Sequence, residues 1–479
     1  MADFLKKIFQ YKFLSIVILL YLIILGTVSI LRHYQFQTQA WDMGIFEQTM
    51  WNTVNSRVMQ NSLEEIPNHL GVHMSPFLFL LIPFYVFFQS PYFLIIIQTL
   101  ALGLGAIPLY FFAKEKLNND RLVKVIILSY LLHPSLHSIN LFDFHPVAFF
   151  IPFVFSAFYF FEKKRLFLAW IFILLSASTK EDSVLICVSI VLFWLIQSIF
   201  RIENKKIRIK INKQAKSIAI LFIFLLLYFI ISIQFLMPYF GGGLLRLDRY
   251  GHLGADFVGI IRNIVANPLS FFSTIFTIVK LKYILFLLLP VVLLPLLSIS
   301  SIFLVLPGVL ENILTNYEPQ FSGLFQYDAV ILPGLYISTV YGVLFLFNKI
   351  KKEKIIFYSI IIFSILSFSF FSFVGPKKFP IYLFQKNLRA ETFREIVKQI
   401  PDDVSVATYT NLLPYLSHRE YIKMIGYEDF YVDIVIIDRF DKLGFSSDQQ
   451  FQQYFDSRIN SGLYKMTIID DRYIVLQKF

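Results

Sequence analysis

The chain has almost no cysteine and little charge. Its one cysteine, Cys187, lies inside an apolar run. That excludes a disulfide framework and a cysteine metal cluster. Charged residues make up 16% of the 479, whereas soluble domains carry about a quarter. The charge that exists is unbalanced, at +11 net, so nucleic acid and anionic lipid both have to be weighed as partners.

What fills the chain instead is apolar. Hydrophobic residues make up 57%, with 56 phenylalanines among them. The runs Phe13 to Leu31, Tyr92 to Phe112, Ser217 to Leu236 and Ile355 to Val374 hold almost no charges. A helix needs about 20 such residues to cross about 30 Å of hydrocarbon. These runs do not alternate as barrel strands do, which leaves helices as the spanning element. The first run follows Lys6, Lys7 and Lys12. It is too long for a secretion signal and no small-residue cleavage site follows, so it reads as a retained span.

The pattern predicts an all-α polytopic membrane protein of about eleven spans: 13–31, 91–112, 122–139, 146–161, 166–179, 183–200, 217–236, 283–297, 298–314, 328–347 and 355–374. The 75–88 stretch is apolar but short and interrupted by Pro83, and is expected to lie along the outer membrane surface. Positive charge tests this set, because cytoplasmic loops carry the excess of Lys and Arg. With the N-terminus inside, the inner loops carry twenty-one Lys and Arg residues and the outer loops before the last span carry eight. Counting 75–88 as a span would spoil that agreement. The basic runs are therefore topology signals and head-group contacts, and a nucleic-acid role, which wants a basic face on a soluble module, is set aside.

An odd number of spans leaves the C-terminus outside the cytoplasmic membrane. From residue 377 to 479 charges rise and apolar runs shorten. DVSVAT (403–408) and VDIVIID (432–438) read as buried strands, 389–400 and 447–460 as helices, and 464–477 as a terminal hairpin. This is a small extracytoplasmic α/β domain without a Gly-rich phosphate loop. It follows a transmembrane domain over 1–376, whose large outer loop covers 32–90.

Ionisable residues at a membrane edge are costly and tend to be functional. Every cluster of mixed sign falls on the outer side. The first outer loop holds Trp41, Asp42, Glu47, Glu64, Glu65, His69 and His73; later loops hold Asp143 and His145, then Lys180, Glu181 and Asp182, then Arg246 and Arg249, then Glu318, Tyr327 and Asp328. Each has a plainer reading. Asp42 would also serve as the cap of a helix beginning at Met43. His69 and His73 are four apart, a spacing that suits a metal, yet Gly71 lies between them and no Glu follows the first His. Lys180 and Asp182 would also anchor helix ends among the head groups.

The strings AWDMGIFEQTMWN, HMSPFLFLLIPFY, LGLGAIPLYFFAKEKL, NLFDFHP and STKEDS, followed by RYGHLG, ANPLSFF, QYDAVILP, IPDDVSVAT and DIVIIDRF, resemble a family of bacterial and archaeal multi-pass membrane proteins grouped with the GT-C glycosyltransferases. The resemblance covers most of the chain. It implies a GT-C-like membrane domain and a first outer loop bearing a catalytic acid, the position Asp42 occupies, with juxtamembrane helices after it. It also implies a polyprenyl-phosphate-linked sugar as donor, and chemistry on the extracytoplasmic face. Many relatives carry adjacent acids, whereas Met43 follows Asp42, which leaves Asp42 as either base or metal ligand.

Glycosyl transfer would ask for a carboxylate base, Asp42. It would ask for cations at the leaving phosphate, with Lys180, Arg246 and Arg249 as candidates, or a divalent metal cation bridging Asp42, His73 and Asp143. Trp41, Glu47, His73, Asp143, His145, Glu181, Asp182 and Tyr327 are the candidates for holding the sugar. The acceptor is an unspecified glycan, lipid or protein. A transporter or flippase, or a non-catalytic scaffold, is the rival expectation; internal repeats that would mark a transporter are not evident.

Overall fold

In the computed structural model, residues 11–203, 206–209, 211–426 and 431–479 are described. Lys6, Lys7, Lys205 and Lys210, counted above among the basic inner-loop residues, lie outside them. Among the described residues, five helices are long and apolar enough to cross a bilayer: Lys12–Tyr34, Pro91–Leu117, Glu181–Ile199, Lys213–Tyr239 and Glu353–Phe371. The Lys12–Tyr34 helix shows how such a helix packs. Leu14, Ile18, Tyr21, Leu25 and Val28 are buried, while Leu19, Leu20 and Ile23 between them are exposed. That is the 3.6-residue period of a helix with one face on protein and the other bare.

The remaining expected spans are shorter or broken. Over 122–139 the chain forms two helices, Asp120–Leu131 and Pro134–Leu141, bent by 42° and making a sixth crossing if taken as one. The bend falls at Pro134, which has no N–H to continue the ladder. Pro146–Glu162 and Leu166–Ala177 are apolar but short, and Leu332–Ile350 runs 19 residues. The largest difference is at 283–297 and 298–314, expected as two spans. The chain there breaks into the end of the helix Ile278–Leu288, short turns over Leu289–Leu297 and two short helices, Ile299–Ile302 and Leu306–Leu314. Pro290 and Pro295 interrupt it, and Val292 and Leu293 take left-handed φ of 54° and 57°. The hydroxyls of Ser129 and Ser364 donate to the Pro290 carbonyl at 3.1 and 3.0 Å. Irregular backbone of this kind is tolerated only where protein satisfies it. In the 75–88 stretch, Leu78–Tyr85 forms an eight-residue helix containing Pro83. At about 1.5 Å per residue it is far too short to cross a bilayer.

Beyond the membrane helices lies a small sheet. A separate hairpin, β1 (Phe200–Glu203) with β2 (Lys206–Ile209), is antiparallel. The C-terminal sheet contains β3 (Val406–Thr408), β4 (Ile422–Met424), β5 (Ile434–Asp438), β6 (Tyr464–Ile469) and β7 (Tyr473–Lys478), in the order β4-β3-β5-β7-β6. β3 is parallel to β4 and β5, while β7 is antiparallel to β5 and β6. Every residue of β5 is buried, as a central strand covered on both faces requires. Helices Leu388–Lys398 and Asp448–Asn460 complete this unit. Sequence pattern had not marked β4, whose three residues are too few to show alternation.

Candidate active site

The local fold of WDMGIFEQ explains where Asp42 points. Ala40–Gly44 forms a single π-turn that leads into the helix Ile45–Val54. Asp42 therefore sits inside a turn and does not cap a helix; the Ile45–Val54 helix has no side-chain cap. Such π-turns are rare and gather at functional sites. The Asp42 carboxylate, partly exposed, meets His145 Nε2 at 2.8 Å. The His145 ring is stacked on Phe142, 5.5 Å between centroids.

Two buried groups hold that pair. Gln98 donates its amide to the Asp143 carbonyl at 2.6 Å and accepts the His145 N–H at 2.8 Å. It thereby clamps a loop in which Asp143 carries a φ of +38°. Asp143 does not reach the open space. Its carboxylate accepts the Gln39 N–H at 2.8 Å, just ahead of the π-turn. Burial first, and then the neighbouring Asp42 charge, push the Asp143 pKa up to about 7 against the pull of the Gln39 N–H.

Two further imidazoles are oriented in the same way. His73 Nδ1 lies 2.9 Å from Glu181, whose other oxygen accepts the Met74 N–H at 3.0 Å. His69 Nδ1 lies 3.0 Å from Glu64. Cations complete the surround. Lys180 pairs with Asp182, and Arg246 grips Glu65 through two bonds of 3.0 and 3.1 Å. Burial works against the Lys180 ammonium, but the carboxylates of Asp182, Glu181 and Glu311 outweigh it and hold its pKa well above the usual lysine value. Burial likewise opposes the Glu65 carboxylate, but the Arg246 guanidinium leaves it below its ordinary value.

Arg249 differs from both. Its guanidinium donates to Gln320 Oε1 and the Tyr327 hydroxyl, each at 3.3 Å, and lies 4.1 Å over the Tyr317 ring. Among the described residues no ion pair of its guanidinium with a carboxylate is seen; the Asp248 carboxylate accepts the Arg249 backbone N–H at 2.8 Å.

These groups surround one cavity of about 580 Å³. Trp41, Asp42, His73, His145, Lys180, Asp182, Arg246, Arg249 and Tyr327 line it, from six separate stretches of chain. Three residues expected at the site stand outside it. Asp143 and Glu181 are behind the wall, holding the turn and His73. Glu47 is fully buried against Tyr85 and His418, at 2.6 and 2.7 Å. The metal set suggested by sequence is not assembled, since Asp143 is engaged by backbone and His73 by Glu181. Among the described residues no group of three or more His, Cys, Asp and Glu side chains is arranged to hold a metal ion.

The cavity also contains residues that sequence reading passed over. Glu311 lines it beside Lys180. It had been absorbed into an expected span, although a lone acid within an apolar stretch is itself a pointer. Gln98, behind the cavity wall, likewise falls within an expected span. Tyr317 carried no signal beyond its place in a polar loop.

A polytopic helical protein with a polar cavity at one end of its helices defines a class, that of integral membrane proteins. Within it, the chain belongs to the family described as predicted membrane protein DUF2079, whose model matches residues 32–475. No curated protein matches the sequence. Among solved structures, the archaeal oligosaccharyltransferase AglB from Archaeoglobus fulgidus, in complex with an inhibitory peptide and a dolichol-phosphate, is similar with a TM-score of 0.44 and 12% identity. The match covers 90% of this chain and 70% of that one.

Proposed function

We propose that the protein is a GT-C-like glycosyltransferase of the cytoplasmic membrane. It moves a sugar from a polyprenyl-phosphate donor to an acceptor on the extracytoplasmic face. In this reading the N-terminus is cytoplasmic, about eleven segments cross the bilayer, and 377–479 form an extracytoplasmic domain. The observation that carries the reading is the pairing, in one cavity, of an imidazole-held carboxylate with an arginine whose guanidinium is held by neutral groups, Gln320 and Tyr327.

The chemistry follows from those two groups. His145 holds one oxygen of Asp42, which leaves the other to take the proton of an acceptor hydroxyl. As that hydroxyl oxygen bonds to the anomeric carbon, the bond from that carbon to the phosphate oxygen breaks. The departing lipid phosphate keeps the electron pair and gains negative charge. Arg249 is the cation placed to receive it, since Lys180 and Arg246 are already matched by Asp182 and Glu65. A preorganised charge aimed at developing charge is among the strongest catalytic effects. The rings of Trp41, Phe142 and Tyr327 offer faces for the sugar.

The test is release of polyprenyl phosphate by the purified protein from a panel of polyprenyl-phosphate sugars, with Asp42→Asn as control. Turnover by the wild type and its loss in the variant support the assignment. Undiminished turnover by Asp42→Asn rules out Asp42 as the base. Failure of every donor, with lipid-linked sugars unchanged in a deletion strain, rules out the reaction class.

A further inference from the structure

The turn that carries Asp42 is held from two sides. Asp143 takes the Gln39 N–H, as described. The next N–H, of Ala40, goes to the C-terminal unit, donating to the Thr410 carbonyl at 2.8 Å. A helix start leaves its first N–H groups without intrahelical partners. Here both are satisfied by distant parts of the chain, so the π-turn is templated from outside.

More contacts continue along the same seam. The Tyr415 hydroxyl donates to the His33 carbonyl at 2.6 Å, and the two rings stack with centroids 4.4 Å apart. Gln48 donates to the Arg419 carbonyl at 2.9 Å. The Ser62 hydroxyl both donates to and accepts from the Ile422 backbone, at 2.9 Å each way. Leu413, Ile422 and Met424 bury Ala40, Ile45 and Leu63 in one small cluster. At the centre stands Glu47, fully buried and two residues into the helix that follows the turn. A buried carboxylate needs hydrogen-bond donors. His418 Nε2, 2.7 Å away, is one, with the Tyr85 hydroxyl at 2.6 Å on the same oxygen. No residue of the C-terminal sheet lines the cavity, so whatever this unit contributes to the chemistry passes through the position of Asp42.

We infer that the 410–424 segment is the positioning element for Asp42 and that His418, through Glu47, is its principal clasp. The inference rests on Asp42 being the base for its catalytic meaning, but the positioning itself can be read without any substrate. His418 touches no reacting atom and acts only by holding Glu47 and the turn ahead of it.

The experiment uses the full chain in lipid nanodiscs and has two readouts. Hydrogen exchange of the peptide covering 36–48 reports the turn, and release of polyprenyl phosphate from a polyprenyl-phosphate sugar reports the reaction. His418→Ala is expected to speed exchange at Ala40–Gly44 about tenfold and to lower kcat by about the same factor with KM unchanged, because small misplacements of a reacting group cost that much. Exchange across β3, β5 and β7 is expected to stay at the wild-type level. His418→Gln, which keeps an N–H donor at that reach, restores both readouts. Should His418→Ala unfold the sheet, Tyr415→Phe serves in its place; it deletes one hydroxyl, keeps the ring stack and is expected to speed exchange of the same amides about threefold. Wild-type exchange at Ala40–Gly44 in both variants overturns the inference, as does failure of His418→Gln to restore it. Faster exchange without any donor turnover, even by the wild type, leaves the positioning standing and removes the glycosyltransferase reading instead.

Discussion

The two ends of the helical body carry the same residue types and use them differently. At the basic end, Lys163 pairs with Glu115 and Arg121 with Glu353 at 3.2 Å. These are lysine and arginine pairs reaching toward solvent, each joining two helix ends. At the other end, acids pair with imidazoles: Asp42 with His145, Glu64 with His69, Glu181 with His73 and Glu47 with His418. There the Glu47, Glu64 and Glu181 side chains are buried and Asp42 is about a fifth exposed, and each holds a ring in place. Exposed pairs contribute little to stability. A buried pair is expensive to set up and worse to break. The difference separates ion pairs that tidy helix ends from ion pairs that aim side chains.

The sharpest way to break that comparison is at Asp42. Asp42→Asn keeps the shape and a bond to His145 but removes the proton acceptor. A general base is worth about 10² to 10⁴ in rate, so kcat for donor turnover should fall by about a thousandfold with protein yield unchanged. An Asn variant that folds and turns over normally would reduce the Asp42–His145 pair to a structural tie.

Asp143 gives the next largest effect, through pH. Its folded pKa of about 7 lies above the ordinary Asp value of about 3.9. Between those values the folded protein holds a proton that the unfolded chain has given up, so stability is greatest below about pH 4 and is lost as pH rises toward 7. A three-unit shift corresponds to about 4 kcal/mol at most. Thermal unfolding between pH 4 and 8 should show this fall, and Asp143→Asn should flatten it. Asp42→Asn should flatten it in part, because the Asp42 charge is the second cause of the shift. A slope unchanged by either substitution would mean that other buried groups set the pH response.

Arg249 comes third. Arg249→Gln keeps hydrogen bonding to Gln320 and Tyr327 but loses the charge, and turnover should fall about 10- to 100-fold. Arg249→Lys should recover only part, since an ammonium cannot copy the planar fork or its contact with Tyr317. If Arg246→Gln proves the more damaging, the anion site lies at Arg246, and Glu65 is its gate.

Much of this arrangement is written in local sequence. The long helices are legible because an apolar run of bilayer length has few other ways to satisfy its backbone. The strands at 406–408 and 434–438 are legible as short branched runs between turn residues. The clusters around Asp42, His145, Lys180 and Arg249 are legible because charge is scarce, so each polar cluster stands out. What is not legible depends on partners far along the chain. The broken stretch from Leu289 to Leu314 is apolar enough to read as spans, and its backbone is satisfied by distant hydroxyls, those of Ser129, Ser364, Ser338 and Tyr250 among them. Asp143 and Glu181 look equal to Asp42 and Asp182 as strings. They differ only in whether a backbone N–H has claimed the carboxylate. The seam from Thr410 to Met424 joins residues more than 350 positions apart, and no spacing rule reaches that far.

The smallest expected effect lies at the basic end, and it is the control for the whole comparison. The Lys163 and Glu115 side chains are 39% and 43% exposed, so water already screens the pair. Glu115→Gln should lower the unfolding midpoint only slightly, with added salt masking most of that. Donor turnover should stay at the wild-type level, since no group at this end reaches the cavity. Unfolding midpoints at low and high salt, measured beside those of Glu47→Gln at the opposite end, give the contrast directly. A Glu115→Gln loss as large as that of Glu47→Gln would show that burial does not divide the two ends, and that the Lys163–Glu115 pair is as much a part of the framework as the acid–imidazole pairs around Asp42.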